Sequence, residues 1–171
     1  MKGKVRVFTG DGKGKTTAAL GLAIRAAGSG LKVFIAQFIK SHDYSEIKAL
    51  KRFSDLITVE QHGLGRFIEK KQTTADIEAA RRGLEKVKRI MSSGEHNVII
   101  LDEANVAVNL SLLTEQDLFD VMAAKPKDIE LIITGRYATP KIIQKADQVT
   151  EFKAIKHYYQ KGVKARVGIE K

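Results

Sequence analysis

"KVRVFTGDGKGKTTAALGLAIRAAG", residues 4–28, decides how the rest of this chain is read. Its first five residues, Lys4 to Phe8, carry β-branched and aromatic side chains and read as a short strand. Three glycines follow in five positions, and then an Ala- and Leu-rich stretch that Gly28 and Gly30 bring to an end reads as a helix. Strand, glycine loop and helix in that order form an anion cradle. Gly10, Gly12 and Gly14 let successive backbone N–H groups point inward, and the helix adds the positive end of its dipole. The loop is one residue away from the phosphate-binding pattern G-x-x-x-x-G-K-[ST], with Thr9 standing where the first glycine belongs. In that pattern Lys15 gives a full positive charge to the phosphates and the Thr16 hydroxyl is placed to ligate Mg²⁺. Asp11 and Lys13, between the glycines, are free to differ.

Outward from this stretch, apolar runs alternate with helical patterns to the end of the chain. Strands are expected at residues 31–39, 56–61 and 97–101, in "IELIIT" (129–134) and in "QVTEF" (148–152). Helices are expected in "YSEIKALKRF" (44–53), over about 115–124 before Pro126, and in "TPKIIQKA" with Thr139 as cap and Pro140 at the first helical position. The clearest helix places Ile77, Ala80, Leu84, Val87 and Met91 on one stripe, with Thr73 or Thr74 as cap and Gly94 as its end. Residues 62–72 lack periodicity and read as a loop, and the tail from residue 153 as irregular chain or an edge ribbon. Strands that are unbroken apolar runs imply a mostly parallel sheet covered on both faces. The expected fold is an α/β, single-domain P-loop (RecA-like) sandwich over residues 1–171. Ligands of such sheets lie beyond the carboxyl ends of the strands, where the glycine loop, "LDEA" and "TGR" all fall.

Composition narrows the function. There is no cysteine, which excludes disulfides, a cysteine-ligated zinc and a cysteine nucleophile, and agrees with a reducing cytoplasm. No apolar run nears the ~20 residues of a bilayer span, and a strand begins so soon after Met1 that no signal peptide is expected. A cytoplasmic protein with no membrane partner follows. The net charge of +10 suits polyanionic ligands such as ATP as well as nucleic acid. Its lysines are spread along the chain without interleaved aromatics, so nucleic acid is not the expected partner.

A phosphate loop requires a carboxylate for its metal, and Asp102 and Glu103 follow a buried strand that would face the loop. The bland reading of the same pair is an acidic helix start. Arg136, after the strand and Gly135 of "IITGR", could neutralise charge growing on a leaving group, or be a surface ion-pair partner. Residue chemistry thus points to ATP and Mg²⁺. It leaves open a P-loop ATPase, a nucleoside kinase and an ATP-dependent nucleic-acid module.

The ordered set "TGDGKGKTTAA", "QFIK", "LDEA", "TGR", "ADQVTE", "IKH" and "GVKARVGIE" resembles the ATP:corrinoid adenosyltransferases of the CobA/BtuR/CobO type, from about residue 4 to 170. The C-terminal segment, residues 153–171, carries the most specific part. The resemblance implies that the cobalt of a reduced corrinoid, cob(I)alamin or cobyrinic acid a,c-diamide, attacks the 5′ carbon of ATP. Triphosphate leaves whole, and ATP lies reversed in the loop. Thr9 is then a family trait, with Asp11 where asparagine is usual. The implied ATP ligands are Thr9, Gly10, Asp11, Gly12, Lys13, Gly14, Lys15, Thr16, Thr17 and Arg136. Mg²⁺ or Mn²⁺ falls to Thr16, Asp102 and Glu103, and catalysis to Lys15, Thr16, Glu103 and Arg136. The segment "LGRFI" stands where the family presses aromatics on the corrinoid, which assigns that role to Phe67 and Arg66, without the family's tryptophan. Asp76, Lys156 and His157 also match family positions. A homodimer and an electron-donor flavoprotein are the implied partners.

Overall fold

In the computed structural model, residues 2–42, 44–65, 72–158 and 162–169 are described. Six strands, β1 (Val5–Thr9), β2 (Val33–Gln37), β3 (Ile57–Gln61), β4 (Val98–Asp102), β5 (Glu130–Thr134) and β6 (Gln148–Glu151), form one sheet in the order β3-β2-β4-β5-β1-β6. Every pairing is parallel. Parallel neighbours need crossovers, and the helices α1 (Lys15–Ala27), α2 (Ser45–Leu50), α3 (Thr74–Ser93), α4 (Ala104–Asn109), α5 (Glu115–Ala124) and α6 (Pro140–Lys145) lie along them.

The two-residue period of the strands divides the core. Val5, Val7, Phe34, Ala36, Ile99, Leu101, Leu131 and Ile133 pack on one face with Leu84, Val87 and Met91 of α3 and Leu118 of α5. Their alternates, Phe8, Val33, Ile35, Val98, Ile100 and Ile132, pack on the other with Ala19, Leu20 and Ala23 of α1. The fold is thus an α/β sandwich with a parallel sheet between helical layers. No helix among the described residues is long and apolar enough to cross a membrane.

Boundaries shift where capping or tertiary contacts decide them. The expected helix at 44–53 is α2 followed by one 3₁₀ turn, Lys51–Phe53. Thr73, rather than Thr74, caps α3. Its side chain accepts from Asp76 N–H, while the Asp76 carboxylate accepts from the Thr73 N–H and hydroxyl at 2.7 and 2.6 Å. That gives Asp76 a structural task. The described part of the tail contains no strand, so it is irregular chain rather than an edge ribbon. Helix α4, directly after Glu103, is new: it has only six residues and no apolar stripe to announce it.

Because all strands run the same way, their carboxyl ends meet at one edge. Thr9, Gln37, Asp102 and Thr134 end there on four adjacent strands.

Candidate active site

The loop from β1 to α1 explains its own composition. Thr9 is the last residue of a regular strand, paired with Glu151 of β6, so its backbone does not require glycine. Its hydroxyl accepts from Ala138 N–H at 3.3 Å, tying the loop to the turn after β5. Gly10 does need to be glycine: φ is +96°, and a Cβ there would stand 2.4 Å from the carbonyl oxygen of Phe152. Phe152 forms the floor of the loop, accepting from Gly12 N–H at 2.7 Å and donating its own N–H to Thr9 O at 2.8 Å. Its ring meets that of Phe8 edge to face, with centroids 5.9 Å apart. Gly14, at φ +113°, turns the chain into α1.

Lys15 is buried, and its Nζ donates to the carbonyls of Gly10 at 2.6 Å and Gly12 at 2.7 Å. Burial, then the nearby Arg136 charge, lowers its pKa, against the opposing charges of Glu103 and Asp11. An anion in the loop would relieve both effects. Thr17 and Lys13 stand exposed on the rim of the loop, as does Asp11. Lys13 Nζ lies 5.2 Å from the ring centroid of Tyr158, which brings the tail over the loop. His157 sits beside that ring, with centroids 5.0 Å apart.

Asp102, at the end of β4, is fully buried and saturated. Thr16 Oγ1 donates to Oδ1 at 2.8 Å and Thr134 Oγ1 to the same oxygen at 2.7 Å. Gln37 Nε2 and Lys40 Nζ donate to Oδ2 at 3.0 and 2.8 Å. Four donors use the acceptor capacity of a carboxylate. Glu103 is different. Its backbone is left-handed (φ 60°), its N–H is held by Thr134 Oγ1 at 3.0 Å, and its side chain lines the cavity. Burial, and then the Asp102 charge, raise its pKa, against Lys40, Lys15 and Arg136. The positive charges that bear on its carboxylate are those of Lys40, Lys15 and Arg136. Of the three residues expected to hold a metal, Thr16 and Glu103 remain oxygen donors of the kind that suits hard divalent ions such as Mg²⁺ or Mn²⁺, whereas Asp102 is already saturated.

Lys15, Thr16, Glu103 and Arg136 border one cavity of about 1130 Å³ together with Gly12, Lys13, Gly14 and Thr17. Arg136 projects exposed from the turn after β5, behind Gly135, whose carbonyl accepts from buried Asn105 Nδ2 at 3.3 Å. The cavity then runs from these polar groups over Leu20, Ile24, Leu50 and Phe53, and Ile169 of the tail reaches its border. Arg66 and Phe67 lie outside the described residues.

Gln37, Lys40, Thr134 and Phe152 were not singled out as site residues from the sequence. A signal for the first two existed: "QFIK" sets a glutamine and a lysine at the end of an otherwise apolar strand. Thr134 and Phe152 ended apolar runs and gave none.

The model of the family "ATP:corrinoid adenosyltransferase BtuR/CobO/CobP" matches residues 1–170. A corrinoid adenosyltransferase of Pseudomonas aeruginosa is 32% identical over 170 residues, covering 99% of this chain and 84% of its own. The corrinoid adenosyltransferase of Escherichia coli K12 is 34% identical over 176 residues, with coverages of 99% and 86%. Corrinoid adenosyltransferase CobA of Salmonella typhimurium shows the same identity and coverage.

Proposed function

Because the chain belongs to the ATP:corrinoid adenosyltransferases of the BtuR/CobO/CobP type, it transfers the adenosyl group of ATP to a corrinoid, and we propose that its glycine loop acts as a P-loop, in a RecA-like sandwich, gripping the triphosphate as a leaving group. The cobalt of a reduced corrinoid attacks the 5′ carbon of the ribose. The carbon–oxygen bond breaks, and its electron pair departs with the triphosphate. Residues 9–17 surround the phosphates, with the N–H groups of Gly10 and Gly14 facing phosphate oxygens and the Lys15 ammonium turned to them from the loop's own carbonyls, while the Gly12 N–H stays on Phe152 O. Arg136 meets the charge that grows as the bond breaks, where a preorganised donor counts most. Thr16 and Glu103 would hold Mg²⁺ or Mn²⁺, with Asp102 orienting the Thr16 hydroxyl from behind. Bound there, the ion would neutralise part of the triphosphate charge.

The observation that carries this reading is the shape of the cavity. It continues past the cradle over Leu20, Ile24, Leu50 and Phe53, of which Ile24 and Phe53 are exposed. Pockets for one drug-sized ligand span about 300–1,000 Å³, so room remains beside the nucleotide for the face of a second, partly apolar substrate. Phe67 and Arg66 are assigned to that substrate, and Tyr158 and Ile169 of the tail stand beside the loop and the cavity. A cytoplasmic homodimer served by a flavoprotein electron donor completes the reading, with complete cobalamin or its a,c-diamide precursor as the corrinoid.

Steady-state kinetics with chemically reduced cob(I)alamin test the roles. Arg136→Ala is expected to lower kcat by about 10²–10³, as for loss of one preorganised donor, with a smaller change in the KM for ATP. Lys15→Ala should abolish nucleotide binding itself. Equal losses in kcat and KM for both variants would contradict the division of labour.

A further inference from the structure

Asp102 has a counter-ion already, and it belongs to the protein. Lys40 Nζ lies 2.8 Å from Asp102 Oδ2 and 3.3 Å from Thr16 Oγ1, between two of the oxygen donors expected to face a divalent ion. Its side chain is mostly buried, and that of Asp102 wholly so. The backbone that aims it is unusual. Ile39, just before it, has φ +73°, a left-handed conformation that a β-branched residue rarely adopts. The turn is pinned on both sides: Phe38 N–H donates to Asp102 O at 2.9 Å, and Gly63 N–H donates to Lys40 O at 3.1 Å. Strained backbone held by its surroundings clusters at functional sites. Joining β2 to β4 does not require this ion pair, because the two strands are already laddered from Val33↔Val98 to Gln37↔Asp102.

We propose that Lys40 is a resident cation that holds Asp102 in place of a divalent ion, so that the free protein binds no metal at this site and the metal enters only with the nucleotide's phosphates. The inference rests on the proposed function only in taking ATP as the ligand. With both Asp102 oxygens saturated and an ammonium beside Thr16, a bare divalent ion would meet one free carboxylate, Glu103, and a like charge. Among the described residues no group of three acidic or histidine side chains could hold a metal. ATP changes this balance by adding phosphate oxygens and negative charge, which both ligate the ion and draw the ammonium off Thr16. Lys40 is therefore a positioning residue for the metal and not a ligand of it.

The test is titration of the full chain with Mn²⁺, read by the electron paramagnetic resonance signal of the free aquo ion, with and without ATP. Wild type is expected to leave the signal intact alone and, once ATP is added, to quench it further than the same Mn²⁺–ATP mixture without protein does. Lys40→Met should bind Mn²⁺ without ATP at least tenfold more tightly than wild type, and its melting temperature should rise with Mn²⁺. Lys40→Arg, which keeps the charge, should behave as wild type. Nucleotide-free binding by wild type that Thr16→Ala removes would overturn the proposal, even if Lys40→Met failed to fold. A folded Lys40→Met without the gain, or wild type that binds no Mn²⁺ even with ATP bound, would overturn it as well. Loss of ATP binding by wild type, by contrast, would strike the proposed function itself.

Discussion

Gly63 is not among the residues that line the cavity, yet its N–H holds the Lys40 carbonyl, so the turn that carries Lys40 rests on it. A Cβ at this position would stand 2.2 Å from the carbonyl oxygen of Ile39 and 2.7 Å from that of Lys40. Ordinary contacts begin near 3.4 Å, so Gly63→Ala must push the backbone of the turn by about 1 Å, and backbone yields less readily than a side-chain tip. Overpacking of this kind costs about 1–3 kcal/mol. At roughly 2–4 °C per kcal/mol for a chain of this size, the melting temperature should fall by ~2–12 °C. Gly21→Ala is the internal control. It lies within α1 with nothing inside 4 Å of the added carbon, and replacing a mid-helix glycine should stabilise by about 0.5–1 kcal/mol, a rise of ~1–4 °C. Thermal unfolding followed by circular dichroism reads both. If Gly63→Ala melts within about 1 °C of wild type, the close approach that holds the Lys40 turn is not real.

Asp102→Asn keeps the volume of the side chain but leaves Lys40 facing a neutral amide in a buried site. Breaking one partner of a buried pair costs about 3–5 kcal/mol, so its melting temperature should drop by ~6–20 °C; a shift under about 2 °C would show that the pair carries no such weight. His62 packs against Phe38, with ring centroids 5.9 Å apart, and against Gly83, and its Nε2 has no hydrogen-bond partner. Burial lowers its pKa below 6.5, against the raising charge of Glu60, and burial lowers that of His96 likewise. The unfolded chain then takes up these protons first, so their contribution to stability is complete above about pH 6.5 and is lost as the pH falls through the lowered folded values. His62→Gln should flatten part of that slope in denaturant titrations between about pH 7 and 5, and an unchanged slope would count against a neutral, buried His62.

The architecture was legible because its signals are local. Strands buried on both faces appear as unbroken apolar runs, as in "NVIIL" and "IELIIT", and Thr139–Pro140 marks a helix start with backbone chemistry alone. The glycine loop between β1 and α1 was legible for the same reason, since its glycines, lysine and threonine lie within seven positions, Gly10 to Thr16. What the sequence concealed is set by tertiary contact. Thr9 looks like a departure from a pattern until the strand is seen to end there, with its hydroxyl on Ala138. Asp102 and Glu103 read as an equal pair, whereas four donors drawn from α1, β2, the turn after β2 and β5 saturate the first and leave the second open to the cavity. No spacing rule reports that asymmetry. Nor does one report the floor made by Phe152, 143 positions after Thr9 by the numbering (152 − 9) and yet hydrogen-bonded to it.

The most direct measurement follows both halves of ATP in one reaction. Protein, ATP, Mg²⁺ and chemically reduced cob(I)alamin are mixed anaerobically in dim light, and the cobalt–carbon bond and the phosphate products are quantified together. One inorganic triphosphate released for each light-sensitive cobalt–carbon bond formed is the expected result. ADP and orthophosphate produced at the same rate with or without the corrinoid would contradict a loop that holds the triphosphate as a leaving group.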